Sequence, residues 1–306
     1  MIRKYLSLVK FSHTIFAMPF ALIGFALGVM SLPEIPGAKA HAGSPGTPME
    51  HFSLFFRHQW HLFVLVVLCM IFARSAAMAF NRYLDRRYDA QNPRTAIREI
   101  PAGVISARSA LVFTLLMCTG FIAATAFINP ICFVLSPVAL AVVLGYSYTK
   151  RFTAFCHLVL GLGLSLAPIG AYLAVTGVFA VLPILFSVAV ICWVSGFDII
   201  YALQDEEFDR QQGLFSIPSR LGKSRALNVS RMLHALSAGC IIAAGVIGGF
   251  GTCYAAGALV FCGMLIYQQS IVKPNDLSRV NLAFMTANGI ASVVFSIFVI
   301  ADILIP

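Results

Sequence analysis

Two acidic stretches interrupt an otherwise apolar chain of 306 residues. The first runs Asn81-Arg-Tyr-Leu-Asp85-Arg-Arg-Tyr-Asp89, and the second Asp198-Ile-Ile-Tyr201-Ala-Leu-Gln-Asp205-Glu-Glu-Phe-Asp209. Helical spacing of three and four places Asn81, Asp85 and Asp89 on one face, and aligns Asp198, Tyr201, Asp205 and Asp209 on another. Carboxylates gathered at a membrane edge repel one another unless positive charge lies between them. A divalent metal carrying a phosphate ester meets that need. Magnesium takes oxygen ligands and usually binds through one or two carboxylates plus substrate phosphates. Asp85 with Asp89, and Asp205 with Asp209, are therefore the expected Mg²⁺ ligands and catalytic carboxylates, each pair holding one ion against a diphosphate. Asn81 offers a neutral oxygen and an amide donor on the same face, and Asp198 extends the second cluster by two helical turns.

Basic and aromatic side chains complete the candidate site. Arg74 lies seven residues before Asn81, on the same helix face and just inside the apolar region. A charge there is costly and marks a functional site by default. It can clamp a phosphate, or the carboxylate of an acceptor, by charge-assisted hydrogen bonds, or it can snorkel to the interface. The short segment Tyr146-Ser-Tyr148-Thr-Lys150-Arg151 offers cations for diphosphate and aromatic faces for a nearby cation. Arg94, Thr95 and Arg98 after the first motif read similarly, as do Ser216 and Arg220 after the second. His51, His58 and His61 fall on the far side from the carboxylates and read as a wet interfacial helix. Glu206 and Glu207 lie off the aspartate stripe and are expected to be solvated. Lys10 and His13 are placed to approach the cavity from an interfacial helix.

The elements that must carry these residues are membrane helices. Hydrophobic residues make up 59% of the chain and charged residues 11%, against about 25% charged in a soluble globule. Nine apolar stretches are long enough to cross a bilayer, at roughly 17–25 residues per helix. They run 14–32, 60–80, 109–128, 130–148, 154–176, 179–199, 227–248, 252–270 and 282–304. With the N-terminus inside, 18 of the 21 Lys and Arg fall in cytoplasmic segments, which places both acidic motifs on the cytoplasmic side. Only Lys39 and Arg57 fall outside, and Arg74 lies within a span.

The net charge of +9 is thus a topology signal with a possible phosphate-binding surface. Its division among short loops argues against nucleic acid. The eight cysteines sit in apolar stretches without CxxC spacing and read as small buried hydrophobes. Arg3 and Lys4 before an apolar run, with Ala38-Lys39-Ala40 beyond it, imitate a signal peptide. The run is long enough to span, however, and Pro33 and Pro36 separate it from that site. The segment 31–49 is expected to be an external loop. Residues 1–306 read as a single integral-membrane domain. The two motif loops, 81–108 and 198–226, overlay at an offset of 120 residues, Asn81 on Tyr201, Asp85 on Asp205 and Asp89 on Asp209. This points to two pseudo-equivalent motifs facing one cavity.

NRYLDRRYD followed by NPRTAIREIPAG, and DIIYALQDEEFDRQQGLFSIPSRLG, closely resemble the two signature loops of the UbiA superfamily of intramembrane prenyltransferases. Arg74 and YSYTKR also look like family features, and the resemblance covers nearly the whole chain. It implies an all-α polytopic membrane protein, with nine transmembrane helices bundled around a central cavity, capped by cytoplasmic motif loops and open laterally to lipid. Carried over residue by residue, it makes Asn81, Asp85 and Asp89 the first diphosphate–Mg²⁺ motif and Asp198, Asp205 and Asp209 the second, with Tyr201 at the tyrosine position. No motif aspartate is missing. The chain looks like the 4-hydroxybenzoate polyprenyltransferase branch of quinone biosynthesis. It is also similar to the branch that prenylates 1,4-dihydroxy-6-naphthoate in the futalosine route to menaquinone.

The resemblance implies C-prenylation of an aromatic ring by a polyprenyl diphosphate, with Mg²⁺ as cofactor, at the inner membrane. Its partners would be the diphosphate, a hydroxy-aromatic acid and the bilayer, with no obligate protein partner. A transporter is the alternative from another class, because intramembrane acids also mark ion paths. Such a path needs polar groups continuing outward, and the external halves of these spans are nearly uncharged.

Overall fold

Helices account for the architecture among the described residues, which in this computed structural model are 2–9, 16–37 and 46–305. Lys10 and His13, expected near the cavity, and the Ala38-Lys39-Ala40 sequence lie outside them. In chain order the helices are α1 (Ile2–Leu8), α2 (Met18–Met30), α3 (Pro48–Gln91), α4 (Ala107–Ala126), α5 (Pro130–Thr149), α6 (Cys156–Thr176) and α7 (Val181–Ala202). Two short helices follow, α8 (Glu206–Gln211) and α9 (Ile217–Leu221), then α10 (Lys223–Gly248), α11 (Thr252–Ile271) and α12 (Asn288–Leu304).

Among the described residues, eight helical segments are long and apolar enough to cross a membrane. The protein is therefore an integral membrane protein of all-α class. In this solvent each backbone polar group must be satisfied within its own helix, so long uninterrupted helices are the stable form. The first expected span, 14–32, is present as the shorter apolar helix α2 of 13 residues, about 20 Å long at 1.5 Å per residue. The second runs past its apolar part. α3 is 44 residues long and carries the whole first motif on its last three turns. Thr47 starts it with a capping box to Glu50, and Gln59 kinks it at φ −128°. The first segment, 48–58, thus bends away and carries His51, whose Nε2 lies 3.1 Å from the Val29 carbonyl oxygen, and His58, whose Nδ1 lies 3.0 Å from that of Leu54. Pro93 ends α3, because the residue before a proline is pushed to extended geometry, and Asn92 adopts φ −93°, ψ 116°.

Close backbone contacts lock α6 between α2 and α7. A Cβ on Gly24 would stand 2.0 Å from the Pro168 carbonyl oxygen, and one on Gly161 would stand 2.6 Å from that of Ile191. Small residues at such crossings let helices approach where lipid provides little hydrophobic drive. Around this seam, Phe20, Trp193, Phe261 and Phe295 form a fully buried aromatic cluster from α2, α7, α11 and α12. Trp193 Nε1 donates to Asn288 Oδ1 at 2.8 Å. Asn288 Nδ2 in turn serves the Ala283 and Phe284 carbonyls of a π-helical turn, Leu282–Ala287. That turn sets Phe284 against the Tyr201 ring, with centroids 4.3 Å apart. All eight cysteines are free thiols.

Candidate active site

Both acidic motifs lie at one end of the bundle, and the loop joining α5 to α6 stitches them together. Its consecutive residues Lys150 and Arg151 diverge. Lys150 Nζ lies 2.7 Å from Asp209 Oδ1, while Arg151 Nη2 donates to Asp85 Oδ1 at 2.8 Å. Arg151 also holds the Leu84 and Ser147 carbonyls and lies over the Tyr88 and Tyr148 rings, 5.4 and 5.3 Å from their centroids. The Lys150 carbonyl accepts from Phe215 N–H at 2.7 Å, which fixes the chain just after α8.

The loop after the first motif supplies the second bridge. Arg94 grips Asp205 with two nitrogens, Nε at 3.0 Å from Oδ1 and Nη2 on Oδ2. Its Nη1 donates to the Tyr201 hydroxyl at 2.8 Å. Asn92 Nδ2 adds a bond to Asp205 Oδ1 at 3.1 Å. Arg98 Nη1 bonds to Asp89 Oδ1 at 2.6 Å, and Thr95 bonds to the Asp89 carbonyl. Each of the four expected metal-binding aspartates therefore faces one Arg or Lys, so the balancing charge in this structure comes from the protein itself. Burial opposes the charge of Lys150, yet Asp209 outweighs it and holds the ammonium above the ordinary lysine range. Asp205 does the same for Arg94 against its burial.

The second motif departs from the single stripe expected of it. α7 ends at Ala202, and a 3₁₀ turn, Leu203–Asp205, precedes α8. The break re-aims the aspartates. Asp198 points to His157 Nδ1 at 2.7 Å, Asp205 to Arg94 and Asn92, and Asp209, fully buried, to Lys150 and Ser216 Oγ at 3.0 Å. Ser216 also caps α9 in a box with Ser219. Glu206 is not solvated as expected: the same break turns it toward Arg210 and Lys223, with which it pairs. Glu207 is exposed. Arg220 lies over the Phe215 ring at 4.1 Å and, among the described residues, bonds to none of the aspartates.

Below this charged rim an apolar cleft of about 410 Å³ runs between α3, α4, α5 and α6. Arg74 and Tyr146 mark its polar end, and Gly163, Gly170 and Ala174 form part of its α6 wall. Arg74 Nε is buried with no hydrogen-bond partner among the described residues. Two helical turns separate Arg74 from Asn81, about 10 Å. Asn81 Nδ2 donates to Asp85 Oδ2 at 2.9 Å and reaches Ser147, the neighbour of Tyr146, at 3.4 Å. Rim and cleft are thus continuous.

The donors suit magnesium. They are all oxygens, and Asp89 Oδ2 is buried with no hydrogen bond among the described residues. Yet no group of three or more acidic, His or Cys side chains converges among the described residues. A metal here needs oxygens from a diphosphate or from water, which is the usual habit of Mg²⁺.

Sequence reasoning missed Asn92, Ser147 and His157. His157 was detectable, since an ionisable residue in an apolar span is a functional candidate by default. Asn92 carried no such signal, because its partner lies 113 residues away.

Comparison with known proteins places this arrangement. Residues 53–290 match the UbiA prenyltransferase family. A 4-hydroxybenzoate octaprenyltransferase of Shewanella pealeana is 30% identical over 77% of this chain and 81% of its own. Another, of Nitrosomonas europaea, is 31% identical over 77% of this chain and 80% of its own. Among solved structures, a UbiA homolog from Aeropyrum pernix K1 superposes with a TM-score of 0.73 at 29% identity, covering 96% of this chain and 97% of that one. A UbiA homolog from Archaeoglobus fulgidus bound to GPP and Mg²⁺ has the same fold, with a TM-score of 0.70 at 22% identity over 98% and 99% of the two chains. The chain belongs to the UbiA prenyltransferase family.

Proposed function

We propose that this protein transfers a polyprenyl group from its diphosphate to a ring carbon of a hydroxy-aromatic acid of the 4-hydroxybenzoate type, with Mg²⁺ as cofactor. The observation that carries this reading is the continuity of a charged rim with an apolar cleft that ends at Arg74 and Tyr146. A substrate with a diphosphate head and a long hydrocarbon tail has that same division. Family membership, and the similarity to 4-hydroxybenzoate octaprenyltransferases, support the choice of reaction and acceptor class.

In this reading Asp85, Asp89, Asp205 and Asp209 would hold Mg²⁺, with Asn81 beside them. When bound, the ion supplies charge neutralisation to the departing diphosphate. Lys150, Arg151, Arg94 and Arg98 exchange their aspartate partners for phosphate oxygens as the head group enters. Tyr201, its ring packed on Phe284 and its hydroxyl bonded to Arg94, holds that guanidinium in place at the rim. The cleft takes the tail and keeps water from the reacting carbon. Arg74, with an unsatisfied Nε at the cleft's polar end, holds the acceptor carboxylate and turns the ring toward the rim.

The same reading counts α2 as a ninth span, takes the cleft as the central cavity of a single domain, and puts the motif loops and N-terminus in the cytoplasm. The distribution of Lys and Arg supports that orientation. A transporter would need polar groups along its path, whereas the cleft is polar chiefly at one end.

The test is product mass spectrometry on the purified protein in vesicles, with a polyprenyl diphosphate, with and without Mg²⁺. 4-Hydroxybenzoate and 1,4-dihydroxy-6-naphthoate are offered in competition. A Mg²⁺-dependent prenylated ring of the benzoate is the expected product. Preference for the naphthoate would move the acceptor assignment, and no prenylated product from either would overturn the reading.

A further inference from the structure

Asn288 is fully buried where α7, α11 and α12 meet, and its side-chain amide is saturated with hydrogen bonds. Trp193 Nε1 and Gln268 Nε2 each donate to its Oδ1 at 2.8 Å. Its Nδ2 donates to the Phe284 carbonyl at 2.9 Å and to the Ala283 carbonyl at 3.2 Å. An indole N–H can only donate and a carbonyl can only accept, so the amide has one possible orientation.

These bonds compensate for an irregular backbone. Leu282–Ala287 is the one π-helical turn among the described residues. In an α-helix the Asn288 amide N–H would bond to the Phe284 carbonyl, four residues back. Here it bonds to the Met285 carbonyl, and the side-chain Nδ2 serves Phe284 in its place. A carbonyl without a donor is costly in a membrane, so the Asn288 amide stabilises the wide turn against rewinding. Turns of this kind recur at functional sites.

The wide turn carries Phe284 onto two successive turns of α7. Its ring lies edge-on to Phe197 with centroids 5.5 Å apart, and at 4.3 Å from the Tyr201 centroid. Rewinding as an α-helix would rotate Phe284 relative to the residues of α12 that Asn288 anchors. Tyr201 would then lose the ring that backs it. Its hydroxyl accepts from Arg94 Nη1 at 2.8 Å, while the other two nitrogens of that guanidinium grip Asp205. Contacts therefore run unbroken from Asn288, inside the bundle, to a cation of the charged rim.

We infer, resting on the transferase reading, that Asn288 is a positioning residue for the diphosphate end of the reaction. It holds the π-helical turn that seats Phe284 on Tyr201, and Tyr201 in turn keeps the Arg94 guanidinium aimed at the entering head group. Asn288 touches neither substrate. Its removal weakens the grip on the diphosphate and leaves recognition of the aromatic acceptor at Arg74 untouched.

The experiment takes Asn288→Ala, Asn288→Ser and Phe284→Leu, each in the wild-type and in the Tyr201→Phe background. Steady-state kinetics in vesicles uses a polyprenyl diphosphate and 4-hydroxybenzoate. Unfolding temperature in detergent is measured with and without Mg²⁺ and inorganic diphosphate, which gives an affinity that needs no turnover. In the wild-type background, Asn288→Ala and Phe284→Leu are expected to lower kcat/KM for the polyprenyl diphosphate roughly 5–20-fold, with KM for the benzoate within about twofold. Affinity for Mg²⁺ with inorganic diphosphate should fall in step. Serine can donate to the carbonyl four residues back, so Asn288→Ser should regain part of the loss. In the Tyr201→Phe background the link to Arg94 is already cut. The same substitutions should then change the diphosphate values by less than about twofold, while lowering the unfolding temperature as much as before. A residue that only supports the fold would lower activity equally in both backgrounds, and that result overturns the inference. Equal losses toward both substrates, or diphosphate values unchanged in the wild-type background, overturn it as well. If Asn288→Ala does not fold, Asn288→Ser and Phe284→Leu make the same comparison. A wild-type protein that prenylates neither acceptor class defeats the transferase reading instead, and the affinity for Mg²⁺ with inorganic diphosphate still decides the role of Asn288.

Discussion

Lys150 and Arg151 are consecutive in the chain yet bond to opposite motifs, Lys150 to Asp209 at 2.7 Å and Arg151 to Asp85 at 2.8 Å. One short loop thus ties the first acidic cluster on α3 to Asp209 of the second, which resides on α8. Asp209 is fully buried, so removal of its cation leaves a desolvated charge. Lys150→Met is expected to cost about 1–3 kcal/mol or more of stability, the usual cost of an unsatisfied buried acceptor. Lys150→Met with Asp209→Asn should recover most of that loss, because the pair disappears together. Neither protein should turn over substrate. Thermal unfolding in detergent checks the first part and product formation the second. A double variant as unstable as the single one would contradict the pairing.

Arg94 presents a different kind of contact. Three of its nitrogens are occupied, two on Asp205 and one on the Tyr201 hydroxyl. Lysine keeps the charge but cannot form that planar fork. Arg94→Lys is expected to lower kcat/KM for the polyprenyl diphosphate roughly 10–100-fold, a loss of about 1.4–2.7 kcal/mol of transition-state stabilisation. Unfolding temperature should move little. Steady-state kinetics at fixed acceptor concentration measures the effect, and kinetics equal to wild type would show that charge alone suffices there.

The helical class, the spans and the two motifs were legible because apolar runs and helical spacing are local signals. The aim of individual carboxylates was not. Asp205 and Asp209 stand four apart, and that spacing implied one face. A 3₁₀ turn at Leu203–Asp205 sends them instead to Arg94 and to Lys150, and no local pattern encodes that break. Glu206 was read as solvated for the same reason, and its pairing with Arg210 and Lys223 follows from the restart of the helix at that residue. The partner of Asp198 was hidden differently. His157 lies 41 residues away, on a different helix, and no local spacing links the two.

The pairing of every metal-binding candidate with a protein cation has a consequence for Mg²⁺. No preformed cluster of three or more ligands exists among the described residues, so the ion gains little until a diphosphate contributes oxygens. Mg²⁺ alone should leave the unfolding temperature nearly unchanged, and so should chelation by EDTA. Mg²⁺ with inorganic diphosphate should raise it, by an amount that grows with ligand concentration as linkage requires. EDTA should abolish product formation, and excess Mg²⁺ should restore it. Strong stabilisation by Mg²⁺ without diphosphate would mean a complete ion site within the protein, contrary to the geometry.

Gly170 faces the cleft on α6, and a Cβ built there meets nothing within 4 Å. It can therefore accept a side chain without backbone strain, unlike Gly24, whose Cβ would collide with the Pro168 carbonyl. Along α3 the cleft is lined from Val66 to Met78, a run of about 18 Å at 1.5 Å per residue. Gly170→Leu would thus place an obstacle partway along the proposed tail path, on the far side of the cleft from its polar end. Turnover of a short substrate such as geranyl diphosphate should survive. Turnover of a long polyprenyl diphosphate should fall, changing the ratio of their kcat/KM values roughly tenfold or more. Head-group chemistry is untouched, so Mg²⁺ dependence should be the same in both proteins. Competition between the two diphosphates, read by product mass, measures the ratio directly. An equal fall for both lengths would place the tail elsewhere.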